Sequence, residues 1–444
     1  MVLALFFIDK EGNMEKEKSN KFMTFMEEKF LPLAGKLGNQ RHLLALRDGV
    51  VMMMPLLIIG AFSMIIAEFP VQAFLDFMAR TFGENWNAFE GVIMHATYGI
   101  SAIIACYGVT SSLVNSYGID GTPAGVIGIS ALMTVVVPSQ LMNGEEVVEA
   151  WIAGSLDATL LFTAMLVALI TGEIYRTMVQ KKITIKLPDS VPPAVSAQFT
   201  ALIPGITVIV LFTIVRLLFA KTAWGGFPEF ISDVISTPLR HAGTSYFGTL
   251  IACLMEHLLW SFGLHGSAIV IFPIFEPLWL INMSENITNG ARNIVTFTFY
   301  ENGVWIGGSG ATLAVVVYML IFAKSKLLKN VGKIGIAPGI FNINEPVTFG
   351  LPIVLNPILM IPYILAPIAA MSVQYLGTAI GLFPLCNNMV PWTCPIFISG
   401  FLTTGSIMGV VAQLCGFAAA FLVWLPFIKA YDDKCYKEEL EAEK

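Results

Sequence analysis

Apolar residues run along this chain in blocks too long and too evenly apolar for a water-soluble core. They lie at about 50–67, 92–114, 121–137, 158–179, 193–220, 246–262, 268–282, 307–323, 352–382 and 400–428. A helix needs roughly 20 such residues to cross a bilayer, so the pattern predicts ten spans, some of them short. The runs do not alternate apolar and polar side chains, which excludes a membrane barrel. Because every backbone N–H and C=O needs an internal partner in lipid, the spans are helices. The expected fold class is an all-α membrane protein with about ten transmembrane helices.

Ahead of the first span, Lys16 to Asp48 is charged and leans basic. Phe30, Leu31, Leu33, Leu37, Leu43, Leu44 and Leu46 recur there with the spacing of an amphipathic helix on the membrane surface, so the first span is expected to begin near Gly49. Two later stretches, Asn282 to Gly310 and Ala337 to Pro357, fit neither a span nor a soluble loop, being mildly apolar yet dense in Asn, Gly, Pro and Thr. Irregular backbone at membrane depth is tolerated only where protein surrounds it or water fills a cavity. Both are therefore expected to be re-entrant hairpins, the kind of segment that builds substrate sites. No internal repeat is evident.

Loop charge gives the sidedness, since Lys and Arg concentrate in cytoplasmic loops. Arg176, Lys181, Lys182 and Lys186 in one loop, and Lys324, Lys326, Lys329 and Lys333 in another, are assigned to the cytoplasm with the N-terminus. Glu68, Asp76, Glu84 and Glu90, then Glu145, Glu146 and Glu149, fall on the opposite side. Ten crossings return the C-terminus, with Lys429, Lys434 and Lys437, to the cytoplasm.

Composition agrees with lipid as the solvent: 56% of the 444 residues are hydrophobic and 13% charged, with a mean hydropathy of +0.75. A net charge of −6 gives no nucleic-acid signal. The six cysteines, Cys106, Cys253, Cys386, Cys394, Cys415 and Cys435, are scattered without metal or redox spacing and read as small hydrophobes. The opening MVLALFFIDKEGN has too short an apolar run for a secretory signal, and Met14 offers an alternative start that would make the first thirteen residues an artefact or tag. No metal site or cofactor is expected.

Ionised side chains are rare inside the apolar blocks, so each needs a partner or a role. The sharpest is Glu345, in Gly339-Ile340-Phe341-Asn342-Ile343-Asn344-Glu345-Pro346-Val347-Thr348-Phe349-Gly350, where Pro346 breaks any helix and Asn342, Asn344 and Glu345 converge. Planar amide and carboxylate groups match the paired hydroxyls of a carbohydrate, with an aromatic ring under the apolar face of the pyranose. The plainer reading is that Asn344 and Glu345 cap broken helix ends. His265, flanked by Gly263 and Gly266, is a second candidate, able as a neutral imidazole to take a proton from a sugar hydroxyl. Glu256 and His257 point about 100° apart on a helix and rank below it. Trp392, in Asn387 to Pro395, offers a stacking platform or an aromatic-belt residue. Gly307-Gly308-Ser309-Gly310 lacks the lysine of a phosphate loop and reads as close helix packing, as do Gly121, Gly125 and Gly128.

Five strings carry a resemblance: Gly38-Asn39-Gln40-Arg41-His42-Leu43-Leu44-Ala45-Leu46-Arg47-Asp48-Gly49, Leu187 to Ser196, Gly263 to Gly266, Ile306 to Leu313, and Phe341 to Gly350. In this order they resemble the EIIC proteins of the phosphotransferase system, lactose/cellobiose/diacetylchitobiose branch, over essentially the whole chain from about Lys16. The resemblance implies a homodimer of ten-span subunits, divided into an N-terminal segment 1–48, a dimerisation half 49–220, a sugar-binding half 221–430 and a cytoplasmic tail 431–444. It places His265 and Glu345 at the sugar hydroxyl to be phosphorylated and adds Asn344 and Trp392 as sugar ligands. Asn342 and Asn302 complete the sugar-binding candidates. Thr298 to Trp305 is more polar than that pattern leads one to expect.

The function implied is translocation of a β-linked disaccharide, of cellobiose or diacetylchitobiose type, by rigid-body motion of the second half. The sugar is then phosphorylated by a phosphocysteine on a separate EIIB protein, so that this chain is a transporter and not an enzyme by itself. The alternative is a proton-coupled disaccharide symporter in which Glu345 carries the proton. An intramembrane glycosyltransferase, which needs a metal or paired carboxylates, ranks last.

Overall fold

The computed structural model describes residues 39–442 together with Pro32 and Lys36, apart from 68, 70, 71, 144, 145, 152–154, 186, 189, 190 and 355. The amphipathic N-terminal segment therefore lies almost wholly outside the described residues. Its last part, Arg41 to Asp48, is continuous with the first span: α1 runs Arg41–Ala67 rather than starting near Gly49. Nothing between Arg41 and Gly49 breaks a helix, so the chain continues its hydrogen-bond ladder instead of turning onto the surface.

Besides two shorter helices at Gln72–Phe82 and Phe89–Ala96, the first half holds α2 (Ser101–Asn115), α3 (Thr122–Val135), α4 (Leu161–Gln180) and α5 (Pro193–Phe219). They meet through glycine. A Cβ at Gly49 would overlap Val109 of α2, and Gly121, Gly125 and Gly128 all face α2, where side chains would strike Ser111, Tyr107 and Thr110. Small residues let backbones approach closely where lipid supplies no hydrophobic drive between helices. The outer face of α5 carries Leu202, Ile206, Val210, Ile214 and Leu217, all exposed. An antiparallel hairpin of β1 (Ser139–Asn143) and β2 (Glu146–Ala150) occupies part of the acidic loop, a small exception to the all-helical expectation.

The second half is built differently. It comprises α6 (Tyr246–Ser261), α7 (Ser267–Asn289, wound as a π-helix through Phe275), α8 (Phe297–Val304), α9 (Leu313–Ile321), α10 (Lys326–Ile340), α11 (Glu345–Gly350), α12 (Pro357–Ala379), α13 (Ile398–Thr404) and α14 (Ile407–Ala442). Among the described residues seven helices are long and apolar enough to cross a membrane, and eight if the pair Phe297–Ala311 and Leu313–Ile321, bent by 53°, counts as one. The apolar runs at 121–137 and 246–262 fall on α3 and α6, of 14 and 16 residues. At 1.5 Å per residue these are shorter than the roughly 30 Å of a hydrocarbon core.

The two irregular stretches separate. Within Ala337 to Pro357, residues 341–344 turn between the end of α10 and the short α11, with Asn342 at φ +62°. Asn282 to Gly310 is instead the end of α7, an extended link and the buried α8 leading into the 53° bend. Gly307, Gly308 and Gly310 make that bend, at φ +80°, +90° and +79°. This motif is therefore a left-handed turn and not the helix-packing stripe its composition suggests, although it too serves close approach: a side chain on Gly308 would collide with Asn344, and one on Gly310 with Tyr363.

The basic segments associate. Arg41 and Arg176 both lie over the Tyr117 ring, 4.4 and 4.5 Å from its centroid, and His42 Nε2 is 3.1 Å from Glu173. The start of α1 thus meets the end of α4. Lys324 pairs with Asp433 at 2.8 Å, joining the loop before α10 to the tail.

Candidate functional site

A cavity of about 290 Å³ opens among α6, α7, α8, the Gly307–Gly310 turn and the Asn342–Glu345 turn. That lies at the small end of the roughly 300–1,000 Å³ common for small-molecule sites. His265, Asn342, Asn344, Glu345 and Trp392, which the sequence singles out, all line it, together with Trp260, Ser267, Glu301 and Trp305. Val51 and Met54 of α1 form part of the wall, so the first half also reaches the site.

Each polar lining residue is set by its local sequence. Pro346 stops α11 from extending back, leaving Glu345 exposed at its first turn. Asn344 sits just before it but makes no capping bond. Its amide instead donates to the Ser309 carbonyl at 2.6 Å and to Thr312 Oγ1 at 3.1 Å. Asn342 Oδ1 accepts from Gly307 N at 3.0 Å, while its Nδ2 donates to the Trp392 and Cys394 carbonyls at 2.8 and 3.3 Å. These two amides are engaged in tying three turns together, whereas Glu345 projects into open space.

His265 follows a turn whose Gly263 has φ +81°, and Gly266 is pressed so close to the Glu256 backbone that a Cβ would overlap it. The imidazole lies 4.4 Å from the Trp260 ring centroid, and its Nδ1 accepts the Ala268 N–H at 3.2 Å. In the neutral ring the proton is thereby fixed on Nε2, so the free edge of His265 is a donor.

Glu256 matters more than its sequence rank suggests. Fully buried, it accepts from Ser267 Oγ, from Tyr300 Oη at 2.5 Å and from Trp305 Nε1 at 3.0 Å, fixing two cavity-lining residues from behind. His257 Nδ1 lies 3.9 Å from it but donates to the Cys253 carbonyl at 2.7 Å, so the neighbouring acid and imidazole serve different partners.

Asn302 departs from expectation. It is buried outside the cavity, donating to Thr403 Oγ1 and accepting from Gln413 Nε2 at 2.8 Å. One residue is 100° of helix, and the face of α8 turned to the cavity carries Phe297, Glu301 and Trp305 at spacings of four. Glu301 had no sequence signal beyond the polarity of its stretch.

A polytopic helical protein with broken helices around a tryptophan-lined cavity that holds a few convergent polar groups has the build of a membrane carrier for a small polar solute. The family model for the phosphotransferase system EIIC matches residues 47–367, and the chain belongs to that family. It is 40% identical to the lichenan permease IIC component of Bacillus subtilis (strain 168), over 96% of each chain. It is likewise 40% identical to the cellobiose-specific EIIC component of Geobacillus stearothermophilus, over 95% of this chain and 96% of that one. The crystal structure of the transporter ChbC, the IIC component from the N,N'-diacetylchitobiose-specific phosphotransferase system, superposes with a TM-score of 0.88 at 42% identity, covering 94% of this chain and 99% of that one. The protein is thus a multi-pass membrane transporter component of the phosphotransferase system, and proton symport, the alternative weighed on sequence, falls away.

Proposed function

We propose that this subunit carries a β-linked disaccharide of the cellobiose or diacetylchitobiose type through the membrane and holds it for phosphorylation by a separate, phosphorylated EIIB protein. The relatives named for cellobiose and diacetylchitobiose support the sugar class. One observation carries the reading: the free carboxylate of Glu345 and the outward Nε2 edge of His265 share one cavity with three tryptophans. Indole faces cover the apolar side of a pyranose, and the charged and donor groups address its hydroxyls.

In this reading Glu345 accepts the proton of the attacking hydroxyl. His265 donates to the same oxygen or to the arriving phosphoryl group, since its other nitrogen is occupied by Ala268. Asn342 and Asn344 position rather than bind, and Trp392, 47% exposed, is the ring free to stack. The anion formed cannot recross lipid, which traps the sugar inside. Residues 49–220 form the dimer contacts of a homodimer, with the apolar face of α5 available to a second copy. Residues 221–430 move with the sugar, and both termini face the cytoplasm, in keeping with the basic segments gathered at Tyr117 and at Lys324.

Labelled disaccharides offered to the purified chain, alone and then with phosphorylated EIIB, test this proposal. Glu345→Gln and His265→Ala should lose coupled phosphorylation. If both variants bind and couple like the unaltered protein, the site assignment is wrong.

A further inference from the structure

The helix that ends at the Glu345 turn has a charged edge that neither packing nor ion pairing uses. α10 buries Leu328, Val331, Gly332, Gly335 and Gly339, coming close to Met319 of α9 at Gly332 and to Val347 of α11 at Gly335. Its exposed side is divided. Lys326, Lys329 and Lys333 share one edge, while Leu327 and Ile334, 46% and 65% exposed, each lie one residue and so 100° of helix past a lysine. The apolar edge suits lipid and the lysine edge water.

Lys329 and Lys333 have no hydrogen-bond or ion-pair partner among the described residues, although acids stand nearby. The acids of the tail are engaged elsewhere: Asp432 accepts from the backbone of Lys324 and Ser325 at 2.9 Å each, Glu439 from that of Lys326 and Leu327 at 2.9 and 3.0 Å, and Asp433 pairs with Lys324. Two lysines four residues apart repel each other, and Lys329 stands near the end of the helix where positive charge is disfavoured. Sidedness accounts for Lys324 and Lys326, at the start of the helix. Lys333 lies two turns further, about 10 Å along the axis from Lys326 and as far again from Ile340, where the helix gives way to the Glu345 turn.

We infer that Lys329 and Lys333 form an electrostatic guide for phosphorylated EIIB, drawing its phosphoryl group along α10 toward the sugar. This inference rests on the carrier reading above and names the surface that the phosphoryl donor uses. The phosphoryl group is an anion and must approach a site that already holds the carboxylate of Glu345. Cations ahead of that site offset the repulsion and raise the rate of productive encounter, an effect that salt screens. Anionic lipid headgroups are the competing occupant, but the edge suited to lipid is the apolar one, and α10 ends at the sugar cavity.

The full-length protein in detergent is assayed with labelled cellobiose and N,N'-diacetylchitobiose, phosphorylated EIIB being varied at low and at high ionic strength. Lys329→Gln/Lys333→Gln should raise the KM for phosphorylated EIIB at least tenfold at low ionic strength and flatten its salt dependence, while the dissociation constant of the sugar on the chain alone stays within twofold. Lys329→Arg/Lys333→Arg, which keeps the charge, should match the unaltered chain; an equal rise there overturns the inference. So does a KM within twofold in the Gln variant, with the carrier reading left intact. If the Gln variant is not monodisperse, the unaltered chain supplies the reading, since a KM indifferent to salt overturns the guide equally. The assay is repeated in phosphatidylcholine vesicles with and without phosphatidylglycerol, and a rise seen only where phosphatidylglycerol is present assigns the edge to lipid and overturns the inference. Failure of the unaltered chain to support EIIB-dependent phosphorylation of either sugar overturns both readings.

Discussion

The two halves of this protein handle the same constraint in opposite ways. In α1 to α5 the helices run without glycine turns inside them, and polar side chains mostly bond back to their own backbone, as Thr207 does to the Ile203 carbonyl and Thr213 to that of Ile209. In the second half the ladder is broken at Gly307–Gly310 and at Phe341–Asn344, and side chains reach across the chain to repair it: Asn344 to Ser309, Asn342 to Gly307 and Trp392, Gln413 to Phe397 and Gly400. Unbroken helix satisfies its own backbone and can face lipid. Broken helix exposes polar backbone and must be enclosed by protein, and the enclosure is where a solute can bind.

Substitutions in each half should therefore fail differently. The largest effect belongs to Glu345→Gln, which is expected to lower the rate of EIIB-dependent sugar phosphorylation by about 10²- to 10⁴-fold, the range of general-base loss, with the melting temperature unmoved. A lowered melting temperature with normal turnover per folded molecule would reverse the contrast. Next comes Gly49→Leu, which drives a side chain into Val109 and should destabilise the first half by roughly 1–3 kcal/mol or more, seen as loss of the monodisperse peak and earlier melting. Asn344→Ala removes bonds to Ser309 and Thr312 and should cost about 1–3 kcal/mol of stability and sugar affinity together, unlike Glu345→Gln. The smallest effect is expected for Thr207→Ala on the exposed face of α5, within about 0.5 kcal/mol by thermal melting. A large loss there would mean that Thr207 itself lies inside the contact that the apolar face of α5 is proposed to make with a second copy.

Legibility in the sequence followed the same division. Spans could be read because apolar runs without polar alternation have one solution in lipid, and the runs fall mainly on helices, although that at 307–323 opens in the glycine turn and that at 400–428 is divided between α13 and α14. Glu345 and His265 stood out because proline and glycine marked the break beside each. Glu256 and Glu301 were hidden, since each sits within a regular helix whose sequence does not say which face meets a cavity. Asn302 and Glu301 are one residue and therefore 100° apart, and of the two it is Glu301 that lines the cavity. The bend at Gly307–Gly310 was misread because glycine serves equally for close helix packing and for positive φ, and only the backbone distinguishes them.

Asn342 has a consequence for how the cargo travels. Its amide ties its own turn to two others, one through Gly307 and one through Trp392 and Cys394, so prying either of them away tears at least one of these links. The easiest displacement is the one that shifts the whole cradle as a single piece, with flexing pushed out to the connections at its rim.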